Sequence, residues 1–281
     1  MKFLRMVLIA IVGGAFALVL AAVLITPPES DEAAPPPEQP TVTTTEHHPG
    51  TLFERRRGFL TPAIPDHFNY TPSAEIARQS TRYQSDGLTW HAVVPPGEAA
   101  APVVVLLHGA NRDGLSMLDM WQRVGRTRSV VLIAPDAPGT TWAAQDITAP
   151  RIAAMLDTIA ATRAIDRAHV FLFGHSAGSS YAALLVNRGI GPWRAAALHG
   201  GYGPPDQYLP TPKARPLRLY LGERDHIFSV EGARAAAAAL AAAGHDTELQ
   251  LIPDHTHWFY EIGPNLAADA WGWFDSLDDP S

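Results

Sequence analysis

No cysteine occurs anywhere in the 281 residues. That absence rules out disulfides, thiolate zinc sites, a cysteine nucleophile and a lipid-modified N-terminal cysteine, although it does not by itself assign a compartment. Charge is also scarce, at 17% of residues, and its balance is acidic, with a formal net charge of -7 and a pI near 5.9. A phosphate-binding surface needs clustered lysine and arginine, so nucleic acid is excluded as a partner. No internal repeat is visible. What the chain does hold is apolar material, 47% of its residues. Such a composition is not that of a disordered protein, and it suffices for a buried sheet.

Lys2 and Arg5 precede an uninterrupted apolar run from Met6 to Ile25, which Pro27-Pro28 ends. Twenty residues at a helical rise of about 1.5 Å span a hydrocarbon core of about 30 Å. Basic residues before the run, with Glu29, Asp31 and Glu32 after it, predict a cytoplasmic N-terminus and a chain that continues in the periplasm or extracellular space. The expectation is a retained membrane anchor. The alternative is a signal segment cleaved near Val19-Leu20-Ala21, which would release a secreted protein. Pro27, Pro28, Pro35, Pro36, Pro37, Pro40 and Pro49 then punctuate a stretch too polar to offset its ordering entropy, which predicts an extended linker. Arg55-Arg56-Arg57 reads as a solvated turn or a protease-sensitive site, and Phe59, Ile64, Phe68 and Tyr70 as a strap packed on the main domain. The organisation expected is thus 1–26 anchor or signal segment, 27–57 proline-rich linker, 58–79 N-terminal strap and 80–281 main domain. The last, roughly 200 residues, suits one domain.

Within it, strand and helix signals alternate. Short β-rich runs stand at Trp90–Val94, Val103–Leu107, Val130–Ala134, Val170–Phe173, Ala195–Leu198, Leu217–Leu221 and Leu249–Ile252. Ile152, Met155, Leu156 and Ile159 recur at i, i+3, i+4, i+7 and define one amphipathic helical face. Alanine-rich Glu231–Ala243 favours helix, with Gly244 where a C-terminal cap belongs, and a last helix near Leu266–Leu277 carries Trp271, Trp273 and Phe274 as packing residues. Alternation of this kind predicts an α/β fold, a mostly parallel twisted sheet with helices on both faces.

Between the apolar run Val170–Phe173 and a helical stretch from Ala177 sits Gly174-His175-Ser176-Ala177-Gly178. A serine at so sharp a strand-to-helix turn adopts strained backbone angles, and glycines two residues to either side avoid clashes there. The turn lifts the Ser176 hydroxyl above the carboxyl edge of the sheet and leaves the Ala177 N–H at a helix N-terminus, where it can stabilise an oxyanion.

This run, in this setting, resembles the nucleophile elbow of the α/β-hydrolase superfamily. The resemblance covers about residues 80–277 and is nearest to the polyhydroxybutyrate-depolymerase-like, feruloyl-esterase-like and dienelactone-hydrolase-like esterases. It implies an α/β-hydrolase fold behind the N-terminal transmembrane helix. His108-Gly109-Ala110-Asn111, directly after Val103–Leu107, is similar to the His-Gly loop of esterases and lipases. That likeness makes the Ala110 N–H the second oxyanion donor and His108 a structural residue. Gly222-Glu223-Arg224-Asp225 resembles the Gly-x-x-Asp turn that carries the acid, which implies Asp225, with Glu223 as the other candidate. Two histidines, His255 and His257, compete for the base. In the bacterial esterases that the chain resembles, the base is followed by a small or aromatic residue and then an aromatic pair, so Trp258-Phe259-Tyr260 after His257 favours it, leaving His255 to hold the loop. The order Ser176, Asp225, His257 agrees with the superfamily order. A zinc site built on His255 and His257 lacks a third ligand. His175, His199 and His226 read as loop or supporting residues, and Trp142 and Tyr202 as packing residues or the lining of an acyl pocket. One departure is Ser179, where the superfamily usually has a glycine; another is the lack of any insertion long enough for a large lid.

The expectation is a serine esterase that forms an acyl-enzyme on small or extended ester substrates, without cofactor or metal. The alternatives are a membrane-anchored peptidase or amidase with the same triad, and a non-catalytic binding module of this fold.

Overall fold

The computed structural model describes residues 48–59 and 69–277. The Met6–Ile25 run, the proline-rich stretch as far as residue 47, and Ile64 and Phe68 of the strap lie outside them. Among the described residues no helix is long and apolar enough to cross a membrane.

Among the described residues nine strands form one sheet: β1 Leu52–Arg56, β2 Thr81–Ser85, β3 Leu88–Val93, β4 Ala101–Leu107, β5 Val131–Pro135, β6 Ile165–His175, β7 Ala195–His199, β8 Leu217–Gly222 and β9 Thr247–Ile252. Their order is β1-β9-β8-β7-β6-β4-β5-β3-β2. Every pairing from β1 across to β5 is parallel, and β3 runs antiparallel to both β5 and β2. The described residues also form six α-helices: α1 Ala74–Gln79, α2 Gly114–Arg128, α3 Ala149–Ala160, α4 Ala177–Arg188, α5 Val230–Ala242 and α6 Gly263–Ser276.

The central strands are apolar because both of their faces are covered. In β4, Val103, Val105 and Leu107 join a core built with α3, α4 and α5. Val104 and Leu106 join the opposite core, built with α1, α2 and α6. Successive side chains of a strand point to opposite faces, so one uninterrupted run serves two layers. The predicted α3 face is the buried one, Ile152, Met155, Leu156 and Ile159. Gly244, beyond α5, has φ of 108°, and its N–H donates to Ala241 O.

All seven expected strands are present, within a few residues of their predicted ends. β1 and β2 add to them, and β1 corrects the expected boundaries. Residues 52–56, expected in the linker, form an edge strand parallel to β9, with Leu52 opposite Thr247. Arg55 pairs with Glu248 at 3.2 Å, Arg56 with Glu223 at 2.6 Å, and Arg57 with Asp269. The arginine triplet therefore docks on the domain instead of forming a solvated turn.

Between β4 and β6 the strand order reverses, since the chain leaves β4 for β5 and returns to the far side of β4. Loops diverge at such a switch point and open a crevice at the carboxyl ends of the strands.

Candidate active site

Ser176 stands in that crevice, between the end of β6 and the start of α4, with φ of 54° and ψ of -119°. A non-glycine residue held there costs on the order of 1–3 kcal/mol. Its backbone is pinned on both sides: the Ser176 N–H donates to His199 O at 2.8 Å, and its carbonyl accepts from Ser180 N at 3.0 Å. The flanking glycines have steric reasons. A Cβ on Gly174 would lie 2.5 Å from Gly178 O, and one on Gly178 would lie 2.2 Å from Leu107 O. Ser179, which replaces the usual glycine, is buried and donates its hydroxyl to Gly201 O at 2.6 Å. Gly201 must itself lack a side chain, because a Cβ there would meet Ser176 O at 2.3 Å.

The three residues proposed from sequence meet. His257 Nε2 lies 2.9 Å from Ser176 Oγ, and His257 Nδ1 lies 2.8 Å from Asp225 Oδ2. Asp225 follows β8 and has a fully buried side chain. Burial opposes its charge, but the His257 hydrogen bond and N–H groups of Phe228 and Ile227 on its other oxygen outweigh burial and hold the carboxyl below its ordinary pKa. An ionised Asp225 can only accept, which assigns the proton of His257 to Nδ1 and leaves the Nε2 lone pair facing the serine hydroxyl. Glu223 is turned to Arg56 and takes no part.

The loop after β4 lies against Ser176. A Cβ on Gly109 would stand 3.1 Å from Ser176 Cβ, so the glycine is what lets the loop approach. Ala110 is exposed at the turn, and Ala177 opens α4, where the first N–H groups lack intrahelical acceptors. His108 is structural, as expected. Its Nδ1 lies 2.7 Å from Gly109 O, its Nε2 accepts from Ala137 N at 2.9 Å, and its carbonyl accepts from Trp142 Nε1 at 2.7 Å. Burial lowers its pKa and keeps the ring neutral. Trp142 therefore supports the loop after β4. Tyr202 sets its ring edge-on to Phe228, which in turn stacks on His257 at 5.8 Å.

Two features were not legible beforehand. Arg112, two residues beyond Ala110, lies 4.9 Å over Trp258 and 5.2 Å over Tyr260 and donates to Tyr70 O at 3.1 Å. It thereby joins the strap to the loops of Ala110 and His257. The second is a row of buried imidazoles. His175 Nδ1 lies 3.0 Å from His199 Nδ1, and His199 Nε2 lies 3.0 Å from His255 Nε2. His255 is thus engaged away from the serine, and no metal-binding cluster occurs among the described residues.

Comparisons with known proteins bear on the family and the fold. Residues 120–277 match the model of the dienelactone hydrolase family. No curated protein matches the chain. Among solved structures, a thermostable esterase is 18% identical, with a TM-score of 0.55 over 70% of this chain and 62% of its own. The chain thus spans less than two thirds of that protein. Esterase PE8 is 23% identical, with a TM-score of 0.54 over 66% of this chain and 99% of its own. The S-formylglutathione hydrolase from Agrobacterium tumefaciens is 17% identical, with a TM-score of 0.55 over 69% of this chain and 93% of its own. At such identities the structures speak for the α/β-hydrolase fold alone, whereas the family match spans more than half of the chain. The chain belongs to the dienelactone hydrolase family and has the α/β-hydrolase fold.

Proposed function

We propose that the enzyme hydrolyses esters through an acyl-enzyme on Ser176, with His257 as general base and acid and Asp225 as the carboxylate that orients it. The supporting observation is the unbroken chain Ser176 Oγ–His257–Asp225, at 2.9 and 2.8 Å. Ser176 Oγ attacks the ester carbonyl carbon as its proton passes to His257 Nε2. Asp225 stabilises the resulting imidazolium. The N–H groups of Ala110 and Ala177 receive the developing oxyanion, a contribution worth about 3–4 kcal/mol for one such donor in related sites. The tetrahedral intermediate collapses, and the alcohol leaves with the proton from Nε2. Water then attacks the acyl-enzyme with His257 again as base, which frees the carboxylic acid and restores the serine. No cofactor enters these steps.

A fluorophosphonate probe tests the assignment: wild type should label once, and Ser176→Ala should not label. A label that persists in Ser176→Ala refutes it. Aryl esters run against matched aryl amides separate ester cleavage from peptidase or amidase chemistry, and faster amide turnover would reverse the reading. We further infer that the domain works outside the cytoplasm, tethered by the 1–26 segment or released from it. The support is the basic-before, acidic-after flanking of Met6–Ile25. External protease should digest the domain on intact spheroplasts; protection until lysis would overturn this placement.

A further inference from the structure

Every member of the triad has a buried histidine as its neighbour. His175 immediately precedes Ser176, and His199 accepts the Ser176 N–H through its carbonyl at 2.8 Å. His255 lies two residues before His257, and its carbonyl accepts the N–H of Arg224, the residue before Asp225, at 2.9 Å. The three rings come from the ends of β6 and β7 and from the loop after β9, and Phe259 packs on two of them, 5.1 Å from His175 and 5.4 Å from His199. They form a row held by two 3.0 Å contacts. Burial lowers the pKa of all three, that of His255 to about 4, so the row is neutral at pH 7.

A neutral imidazole has one N–H and one lone pair, so each contact in the row needs one donor and one acceptor. Only two proton arrangements satisfy both contacts, and they run in opposite directions. The buried Nδ1 of His255 decides between them, because it has no partner. A proton there would be an N–H without an acceptor, which is dearer than an unused lone pair. His255 then carries its proton on Nε2 and donates to His199. His199 carries its proton on Nδ1 and donates to His175. His175 keeps its own on Nε2, beside the oxyanion loop, where a Cβ on Gly109 would stand 3.4 Å away. Three apolar side chains would fill the same space without the cost of burying polar rings. What they would not do is fix ring rotation and the lateral spacing of three strand ends.

We propose that His175, His199 and His255 are positioning residues for acyl transfer: a one-directional row of neutral imidazoles that ties together the loops bearing Ser176, Asp225 and His257. The proposal rests on the triad reading, and its test is separable from that reading.

Long-range ¹H–¹⁵N correlation on the ¹⁵N-histidine-labelled full chain in detergent reads the tautomers directly. The expected result at pH 7 is Nε2–H for His255 and His175 and Nδ1–H for His199. A proton on His255 Nδ1, tautomers in rapid exchange, or a cationic ring would overturn the proposal. In parallel, His199→Phe keeps a ring and removes both contacts. It should lower kcat by about tenfold to a hundredfold, with KM within about twofold and stoichiometric fluorophosphonate labelling retained. His199→Gln, whose amide can replace one contact, should recover part of kcat. An unchanged kcat in His199→Phe sinks the idea, as does a loss that follows thermal stability equally in both variants. If His199→Phe does not fold, the wild-type tautomers still decide. Failure of the triad reading would show separately, as labelling of Ser176→Ala, and would leave the tautomers where they are.

Discussion

His255 and His257 share one loop, yet their surroundings give them different chemistry. His257 lies between a buried carboxylate and a serine hydroxyl, whereas His255 faces only another imidazole and keeps an unpartnered Nδ1. His257→Ala should therefore lower kcat/KM by about 10⁴-fold or more. His255→Ala should keep its fluorophosphonate labelling and lose far less. Steady-state kinetics on an aryl ester distinguish them, and equal losses would contradict the assignment. Gly178→Ala is a second test at this scale. Its new Cβ would press on Leu107 O at 2.2 Å and His108 O at 2.6 Å, both backbone atoms at the root of the loop that carries Ala110. The expected cost is about 1–3 kcal/mol in urea unfolding, together with a fall in kcat. That Ser176, Asp225 and His257 meet was legible because each follows a recognisable strand end in the expected order. The imidazole row was not, since its contacts join residues 24 and 56 positions apart and no local pattern encodes such a meeting.

Helix α2 and the strap before α1 show how an element remote from the chemistry reaches it. Asp119 of α2 accepts from Ser73 N at 3.1 Å, Ser73 Oγ at 2.6 Å and Gln122 Nε2 at 2.7 Å, and also from the Tyr70 hydroxyl. The Tyr70 ring stacks on Tyr260 at 4.1 Å, three residues past His257. Asp119→Ala would orphan several donors at once, each worth about 1–3 kcal/mol if left buried and unpaired. Limited proteolysis should then cut near Tyr70 before the rest of the domain, and a wild-type cleavage pattern would count against this docking. α3 and α5 could be read beforehand from an apolar stripe and from alanine content. α2 could not, because buried Ser116, Asp119 and Gly125 interrupt its stripe of Met117, Leu118, Trp121 and Val124. β1 was hidden for the opposite reason: all five of its residues are exposed, so burial imposes no alternation on them.

Among the described residues, burial depresses the pKa of five histidines: His108, His175, His199, His245 and His255. Each stays neutral when folded but takes up a proton on unfolding below about pH 6.5. The unfolded chain then binds more protons, so stability falls as pH drops from about 6.5 toward the folded values, about 4 for His255. Inside its window each group contributes about 1.4 kcal/mol per pH unit. Asp225, with its lowered pKa, adds a further loss as pH falls below the ordinary carboxyl range. Urea midpoints measured from pH 8 to pH 4 should thus decline steeply below 6.5, and a flat profile would refute this. The pairing of β1 with β9 has its own consequence, which concerns time. Thr51 waits for Asp246, 195 residues later, before its N–H and hydroxyl find their acceptor. Each doubling of a closing loop costs only about 0.6 kcal/mol, so the delay matters more than the energy. On the ribosome, β1 emerges before β2 to β9 yet cannot be seated until β9 follows, and the sheet keeps an open flank until then.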